Sequence, residues 1–311
     1  MKYRSLASTN ILVSEIGFPL QGLTIDDEFV GREDDAIRLL QESYEAGVVL
    51  FDAADVDHSG YTEELLAKAL GSHRHDIVVA TKVGYDFYTP NILTEQKGPL
   101  QNFDPAYLRL ACERSLRRLG TDYIDIYQLH HPPVAALERD ELWFLLEALV
   151  REGKVRSLGL VFGSDIDLID VGAALEGKPI DGFQLPYVID GNSLEIPGCE
   201  LTSSTIVCDY RLDRLVKDVS QDVSSAAVAG VGTEVDINGN PRRNLQDMFA
   251  LVEHHGEQDQ ASLILTVLLL DGSVCSVTPW VKNLEDLTRA SVSIEAVLQC
   301  EQCHHWAGLL K

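Results

Sequence analysis

Short apolar runs alternate with helical patterns along much of the 311-residue chain. The apolar runs have the composition of buried strands, and the segments between them repeat their apolar positions with helical spacing. This alternation is typical of parallel βαβ units. The predicted strands are 48–52, 77–82, 123–129, 155–161, 182–185, 205–208 and 274–277, and the clearest predicted helices are 63–70, 105–119 and 140–151.

The order of these elements predicts an α/β fold, a (β/α)8 (TIM) barrel. No Pro-rich or Ser-rich linker divides the chain, so we expect residues 1–311 to form one domain. Residues 2–6 and 11–14 lie on either side of Ser8-Thr9-Asn10 and predict an N-terminal β-hairpin at the floor of the barrel. Residues 191–260 are rich in Gly, Ser and Asp and have poor periodicity, which predicts a long irregular excursion.

Composition narrows the classes of partner. The formal net charge of −24 and the pI near 4.6 argue against nucleic acid or an anionic membrane surface, because both require a basic face. The first residues lack the apolar core of a signal peptide, and no apolar run approaches the roughly 20 residues of a membrane helix. Six cysteines are too few for a disulfide framework. We therefore expect a cytoplasmic protein with a small-molecule ligand; its oligomeric state stays open.

Several segments carry a recognisable set of motifs. They are the strand and loop at 47–58, Glu-Glu-Leu-Leu at 63–66, Ala-Thr-Lys at 80–82, Arg-Leu-Gly-Thr-Asp-Tyr-Ile-Asp at 118–125, Tyr-Gln-Leu-His at 127–130 and Gly-Lys-Val-Arg at 153–156. In this order and spacing they resemble the aldo-keto reductase family. The resemblance covers residues 1 to about 184 and 261 to about 290. It implies the barrel fold and a site for NADPH-dependent carbonyl chemistry.

The resemblance also implies a catalytic tetrad, and its positions in this chain are Asp52, Asp57, Lys82 and His130. In the family, the lysine and its aspartate lower the pKa of a tyrosine that donates the proton, and the histidine orients the carbonyl oxygen. Asp57 stands where that tyrosine is expected. A carboxylate is ionised near pH 7 unless burial raises its pKa, so Asp57 is a poor substitute for the phenol.

The positions that hold the cofactor in the family diverge as well. Gln184 and Tyr187 match the family pattern, but Val188 replaces the asparagine that follows. Side chains that differ from the family stand at the nicotinamide, pyrophosphate and adenosine-phosphate positions. They are Pro19-Leu20-Gln21, Val161-Phe162, Asp209 to Asp213 and Trp280. Because aspartates repel a pyrophosphate and a tryptophan blocks close backbone approach, these changes predict an NADPH site that is lost or rebuilt.

The expected function is therefore cofactor-independent acid–base chemistry on a small organic molecule, of the isomerase, lyase or cyclase type, with no cofactor favoured. One alternative is an NADPH-dependent carbonyl reductase or other oxidoreductase with an atypical site. A second is a non-catalytic barrel that binds a ligand or partner. Buried charge pairs at strand ends are common both at active sites and in purely structural roles.

Two sets of residues resemble metal or haem sites, and neither is favoured as one. Acidic and histidine side chains gather near one barrel mouth, but their spacing is not that of a known ligand set. They are Asp52, Asp55, Asp57, His58, His130 and His131. The run from Cys300 through Cys303 to His304 matches a haem-attachment pattern, yet it fits a C-terminal helix with packed cysteines better.

Overall fold

The computed structural model describes residues 1–25, 32–89, 99–163, 168–186, 205–209 and 273–279, together with positions 265, 269, 281, 283 and 285–287. Its strands are β1 Tyr3–Ser5, β2 Leu12–Ser14, β3 Phe18–Pro19, β4 Leu50–Asp52, β5 Val78–Val83, β6 Tyr85–Asp86, β7 Leu100–Gln101, β8 Ile124–His130, β9 Val155–Val161, β10 Gly182–Pro186, β11 Thr205–Asp209 and β12 Val274–Pro279. Its α-helices are α1 Gly22–Ile25, α2 Glu33–Glu45, α3 Tyr61–Leu70, α4 Pro105–Leu119, α5 Val134–Leu137, α6 Asp140–Arg151 and α7 Leu168–Leu175.

Eight of the strands form one parallel sheet in the order β12-β11-β10-β9-β8-β5-β4-β3. The sheet closes on itself where Ile16 bridges Val277 in parallel. The amide of Gly17 donates to the carbonyl of Val277 at 2.9 Å, and the amide of Val277 donates to the carbonyl of Glu15 at 2.9 Å. A closed sheet of eight parallel strands confirms the predicted (β/α)8 barrel.

The predicted N-terminal hairpin is confirmed. Strands β1 and β2 pair antiparallel, with Tyr3 opposite Ser14. The apolar side chains Leu6, Ile11 and Val13 are buried in one cluster with the first residues of the barrel strands, among them Leu50 and Val78. The hairpin therefore covers the amino-terminal end of the barrel and leaves the carboxyl-terminal end of the strands open to form a site.

Helix α4 shows how local sequence sets the element bounds. The Asp104 side chain accepts a hydrogen bond from the amide of Ala106 at 2.9 Å, and Pro105 occupies the first turn. The helix ends at Gly120, whose φ of 64° lies in the left-handed region that a glycine adopts without strain. Among the helices of the described residues, none is long and apolar enough to cross a bilayer.

The predicted excursion at 191–260 is described only at β11, which pairs in parallel with β10 and β12. The sequence predicts a strand at 205–208, and β11 is one residue longer. The remainder of the excursion lies outside the described residues. The single-domain assignment for 1–311 stays a prediction.

Candidate functional site

Three of the four predicted catalytic residues lie at the carboxyl-terminal ends of neighbouring strands. Asp52 is the last residue of β4, Lys82 is the fifth residue of β5, and His130 is the last residue of β8. Gln184, predicted as a cofactor contact, lies in β10. Because the strands are parallel, these residues face the same barrel mouth, which is where barrel enzymes build their sites.

Asp52 and Lys82 form a buried ion pair. In the sheet Asp52 lies opposite Ala80, two residues before Lys82, so both side chains point to the same face. The Lys82 ammonium donates to Asp52 Oδ1 at 2.5 Å and to the carbonyl of Ala53 at 3.0 Å. The other carboxylate oxygen accepts a hydrogen bond from Gln184 Nε2 at 2.8 Å. Both oxygens of Asp52 thus accept hydrogen bonds, and the side chain is almost fully buried.

His130 is an uncharged member of this group. Burial, followed by the nearby charge of Lys82 and the ring of His131, lowers the pKa of His130 to about 2. The imidazole is therefore neutral at pH 7 and acts there as a hydrogen-bonding group. Within the described part of the chain its buried Nδ1 has no hydrogen-bond partner. The ring of Tyr85 meets it edge-on, with centroids 5.1 Å apart.

Asp57 begins a 3-10 turn, Asp57–Gly60, that follows β4. His58 and Ser59 have φ values of 47° and 59°, which cost about 1–3 kcal/mol each in residues other than glycine. Gly60 has a φ of 93°, and a Cβ at this position would lie 2.4 Å from Arg118 Nε. The turn is thus held against helix α4 in a strained conformation, and it presents a half-buried Asp57 near the barrel mouth.

The environment of Asp57 changes its acidity. Burial raises the pKa of Asp57 to about 6; the positive charge of Lys82 opposes this shift, and the negative charge of Asp52 adds to it. Asp57 therefore exchanges a proton close to neutral pH, unlike an ordinary aspartate. The sequence predicts an ionised carboxylate near pH 7 unless burial raises its pKa, and burial does raise it here.

Two buried acids lie behind this turn, Asp55 and Glu63. The sequence assigns neither of them a catalytic role. Glu63 is fully buried; one oxygen accepts from Thr81 Oγ1 at 2.7 Å and the other from Arg118 Nε at 2.6 Å. Asp55 is also fully buried, and neither of its oxygens has a partner among the described residues. Burial, followed by the charge of Glu63, raises the pKa of Asp55 well above its ordinary value. Both acids lie in matched motifs, but no spacing shows that Glu63 is paired with Arg118 while Asp55 has no partner among the described residues.

The aromatic side chains that follow β5 divide between two places. Tyr85 contacts His130 at the mouth. Tyr88 instead accepts a hydrogen bond from Arg118 at 2.6 Å and stacks under the guanidinium of Arg114 at 3.8 Å. Tyr85 is therefore the aromatic side chain placed to contact a substrate. Tyr61, the nearest phenol to Asp57 in sequence, donates to Glu33 at 2.9 Å on the outer helices.

The cofactor positions are described in part. Gln184 is buried, and its Oε1 has no partner among the described residues. Val161 and Phe162 are buried and have apolar side chains. Tyr187, the segment 210–213 and Trp280 lie outside the described residues. The Oε1 atom of Gln184 is a suitable acceptor for an amide N–H, such as that of a nicotinamide.

The metal and haem signals gain no support from geometry. Among the described residues, no group of three or more His, Cys, Asp or Glu side chains is placed to hold a metal ion. His131 has a φ of 52°, and its carbonyl accepts a hydrogen bond from Gln101 Nε2 at 2.7 Å. The run from Cys300 to His304 lies outside the described residues.

Comparison with known proteins gives a consistent assignment. Residues 22–189, more than half of the chain, match the family described as "Aldo/keto reductase family". The uncharacterized oxidoreductase YqkF of Bacillus subtilis is 32% identical over 160 residues, which are 51% of this chain and 48% of that protein. The chain spans about half the length of the curated relatives it matches.

Solved structures are similar along the whole chain. The aldo-keto reductase AKR11C1 from Bacillus halodurans in its holo form is 26% identical, with a TM-score of 0.67 and coverage of 100% of this chain and 97% of that one. An aldo/keto reductase from Klebsiella pneumoniae, in complex with NADP and acetate, is 21% identical with a TM-score of 0.65. It covers 95% of this chain and 90% of that one, and at this identity the likeness concerns the fold.

These findings correct the expected function. Cofactor-independent isomerase, lyase or cyclase chemistry is wrong, because the matched family and the relatives are oxidoreductases. They favour the alternative, an NADPH-dependent carbonyl reductase or oxidoreductase. The prediction of a cofactor-independent function rests on side chains at the cofactor positions that differ from those of the family. The structure instead gathers Asp52, Lys82, His130 and Gln184 at one mouth, an arrangement that suits carbonyl chemistry.

Proposed function

Because the chain belongs to the aldo/keto reductase family, we propose that it is an NADP(H)-dependent oxidoreductase that interconverts a small carbonyl compound and its alcohol. The observation that carries the proposal is the buried Asp52–Lys82 pair, held by Gln184 and adjoined by a neutral His130 at the open end of the barrel. A buried charge pair is costly to maintain, and its position at the strand ends favours a role in chemistry.

Each residue has a proposed role. His130 hydrogen-bonds the carbonyl oxygen of the substrate, since its imidazole is neutral and lies at the end of β8 at the barrel mouth. Lys82 stabilises the negative charge that develops on that oxygen. Asp52 holds the Lys82 ammonium in place and is a positioning residue. Asp57 exchanges the proton with the substrate oxygen in place of the family's tyrosine.

The cofactor supplies or accepts the hydride when it is bound. Gln184 is proposed to hold the carboxamide of the nicotinamide through its unpartnered Oε1, while its Nε2 stays bonded to Asp52. Support comes from the NADP in the Klebsiella pneumoniae relative, which has the same fold. Val161 and Phe162 offer no polar side-chain atom at the carboxamide. We therefore expect fewer side-chain hydrogen bonds to the nicotinamide than in a typical member of the family.

Cofactor titration is the direct test. Intrinsic tryptophan fluorescence should be quenched by NADPH between about 1 μM and about 1 mM, the usual range of binding constants for enzyme substrates. NADPH oxidation should then be measured with a panel of small aldehydes and ketones. A chain that shows neither quenching nor turnover across this range is not an NADP(H)-dependent oxidoreductase.

A matched pair of variants links turnover to the site. His130→Gln replaces one neutral hydrogen-bonding group by another, so the variant should fold and bind NADPH while kcat falls about 10²-fold or more. Phe144→Gln provides the control, because Phe144 is exposed on α6, away from the strand ends. Equal turnover in the two variants would remove His130 from the mechanism.

A further inference from the structure

The imidazole of His130 is the group proposed above to bond the substrate oxygen, and neighbouring rings surround it. A working histidine is normally held in one tautomer and orientation by a hydrogen bond at its second ring nitrogen. Among the described residues, no group bonds the buried Nδ1 of His130. The ring instead meets Tyr85 at 5.1 Å between centroids and 86° between planes, and His131 at 4.7 Å and 65°.

These two rings restrict how the imidazole can turn. The χ2 torsion of a histidine is broad and roughly two-fold, so a ring without a bonded nitrogen rotates unless its neighbours block it. Aromatic pairs favour edge-to-face contact at centroid distances of about 4.5–7 Å. The contact of Tyr85 with His130 is of this kind. Its near-perpendicular geometry therefore opposes rotation of the imidazole.

The backbone brings Tyr85 to this place. Gly84 has a φ of 139°, and a Cβ there would lie 2.6 Å from Phe103 Cε1 and 3.3 Å from the carbonyl oxygen of His130. Only glycine allows this close approach of β5 to the end of β8. The chain then enters the antiparallel pair β6–β7, in which Tyr85 lies opposite Gln101.

The β6–β7 pair is fastened on two sides. The hydroxyl of Tyr107, on α4, donates to the carbonyl of Tyr85 at 2.7 Å. On the other side, Gln101 Nε2 donates to the phenol oxygen of Tyr85 at 3.3 Å and to the carbonyl of His131 at 2.7 Å. One amide group thus links the Tyr85 side chain to the residue that follows His130. The Tyr85 ring cannot leave the imidazole without breaking these bonds.

We propose, resting on the oxidoreductase function proposed above, that Tyr85 and Gln101 are positioning residues for His130. Tyr85 holds the plane of the imidazole, and Gln101 holds Tyr85 at a fixed place relative to the end of β8. Both residues act through His130. A hydrogen-bonding group that is already directed at the substrate oxygen needs no reorientation when charge develops there, so its fixed orientation favours the reaction.

Nuclear magnetic resonance of the histidine rings tests the proposal without any turnover. The His130 signals are identified by their loss in His130→Gln. In Tyr85→Leu the His130 ring should gain motion, seen as a lower order parameter or as relaxation dispersion. Tyr3→Leu is the matched control, because Tyr3 lies on β1 at the opposite end of the barrel. A His130 ring that is equally rigid in wild type and Tyr85→Leu by both measures would overturn the proposal.

Kinetics with NADPH and four carbonyl probes, acetone, butanal, dihydroxyacetone and benzaldehyde, provide the second test. Tyr85→Leu should lower kcat about tenfold or more and leave KM within about twofold, because misdirection of His130 is felt in the transition state. Tyr85→Phe keeps the ring and loses only the bond from Gln101, so its kcat should lie within about threefold of wild type. A raised KM with unchanged kcat in Tyr85→Leu would mean that Tyr85 only contacts the substrate.

Gln101 is tested by its own pair of variants. Gln101→Ala removes both bonds of the amide but leaves the Tyr85 ring, so kcat should fall about threefold. Gln41→Ala is the control, since Gln41 Nε2 also donates to a backbone carbonyl, that of Ala69, at 3.2 Å on the outer helices. Equal kcat in the two variants would remove Gln101 from the proposal.

A double-mutant cycle separates this proposal from the function on which it rests. If Tyr85 acts through His130, Tyr85→Leu should not lower kcat further in the His130→Gln background. An equal loss in both backgrounds would overturn the positioning role and leave the oxidoreductase function standing. If wild-type protein neither binds NADPH nor turns over any of the four probes, the oxidoreductase function fails, and the present proposal fails with it.

Discussion

Asp52 and Asp55 are the same residue type, lie three positions apart on one segment and are both buried, yet their surroundings differ completely. Asp52 has Lys82 on one oxygen and Gln184 on the other. Asp55 has no partner on either oxygen among the described residues, and its pKa is raised well above the usual range. The surroundings of Asp52 therefore stabilise the ionised carboxylate, and those of Asp55 stabilise the protonated carboxyl.

Asp57 is intermediate between these two extremes, and this supports the role in proton exchange proposed for it above. The carboxylate of Asp52 is already occupied by Lys82 and Gln184. An acid as enclosed as Asp55 cannot exchange its proton with solvent readily. Asp57 is half-buried, it makes no ion pair with any residue that the structure describes, and its pKa of about 6 lies within reach of neutral pH. The contrast teaches that burial and partners, rather than residue type, assign the roles of these three carboxyls.

The largest expected effect comes from breaking the paired site. Lys82→Met leaves the buried Asp52 without its cation, and this should lower the free energy of unfolding by about 3–5 kcal/mol. Urea denaturation followed by circular dichroism measures the change. Lys154→Met is the control, because Lys154 makes two ion pairs at the surface and its loss should be hardly measurable. Equal effects in the two variants would mean that the Asp52–Lys82 pair is not buried as described.

A smaller loss is expected when the turn beneath Asp57 is disturbed. Gly60→Ala adds a Cβ against Arg118 in a left-handed conformation, so the free energy of unfolding should fall by about 2–4 kcal/mol. Gly153→Ala is the matched control. Gly153 has a φ of 73° but nothing within 4 Å of an added Cβ, so only the strain of about 1 kcal/mol applies. If the control loses as much as Gly60→Ala, the contact with Arg118 does not hold the turn.

The pH dependence of stability is the prediction that sharpens the comparison most. Because the folded-state pKa of Asp55 is raised, the folded protein retains a proton that the unfolded chain loses above about pH 4. Stability is thus complete at low pH and is lost as pH rises toward the folded-state pKa, by up to about 1.4 kcal/mol per pH unit. Asp55→Asn removes this dependence. Unfolding free energies measured at about pH 4 and about pH 7 should show the variant gaining on wild type. A constant difference would show that Asp55 is ionised in the native state.

Much of the fold could be predicted from the sequence because it depends on local patterns. The strand expected at 155–161 is found there, and the helix expected at 140–151 begins and ends at those residues. The caps Asp104 and Gly120 act within one turn of their helix, so their effect does not depend on distant residues. Short strands such as β3 and β6, with two residues each, have too few positions to show a period and were not predicted.

The sequence predicts which residues belong to the candidate site, but it does not predict their pKa shifts. Asp52, Lys82 and His130 were assigned from motifs, and the parallel topology then placed all three at one end of the barrel. The prediction of a cofactor-independent function is wrong, because the side chains at the cofactor positions differ from the family's without excluding an oxidoreductase. The direction of the pKa shift of Asp57 could not be read from sequence, since it depends on burial first and on the charge of Lys82 second.

The sequence by itself determined the alternation of strands and helices, the barrel that follows from it, and the end of the barrel at which the polar residues gather. Periodicity and capping are properties of neighbouring residues, and they act before any long-range contact forms. Only the tertiary structure decided which carboxyl is charged, which holds a proton and which exchanges one. Gln184 meets Asp52 across 132 positions, and Arg118 meets Glu63 across 55. Electrostatic energies depend on distances and burial in space, which the order of residues does not contain.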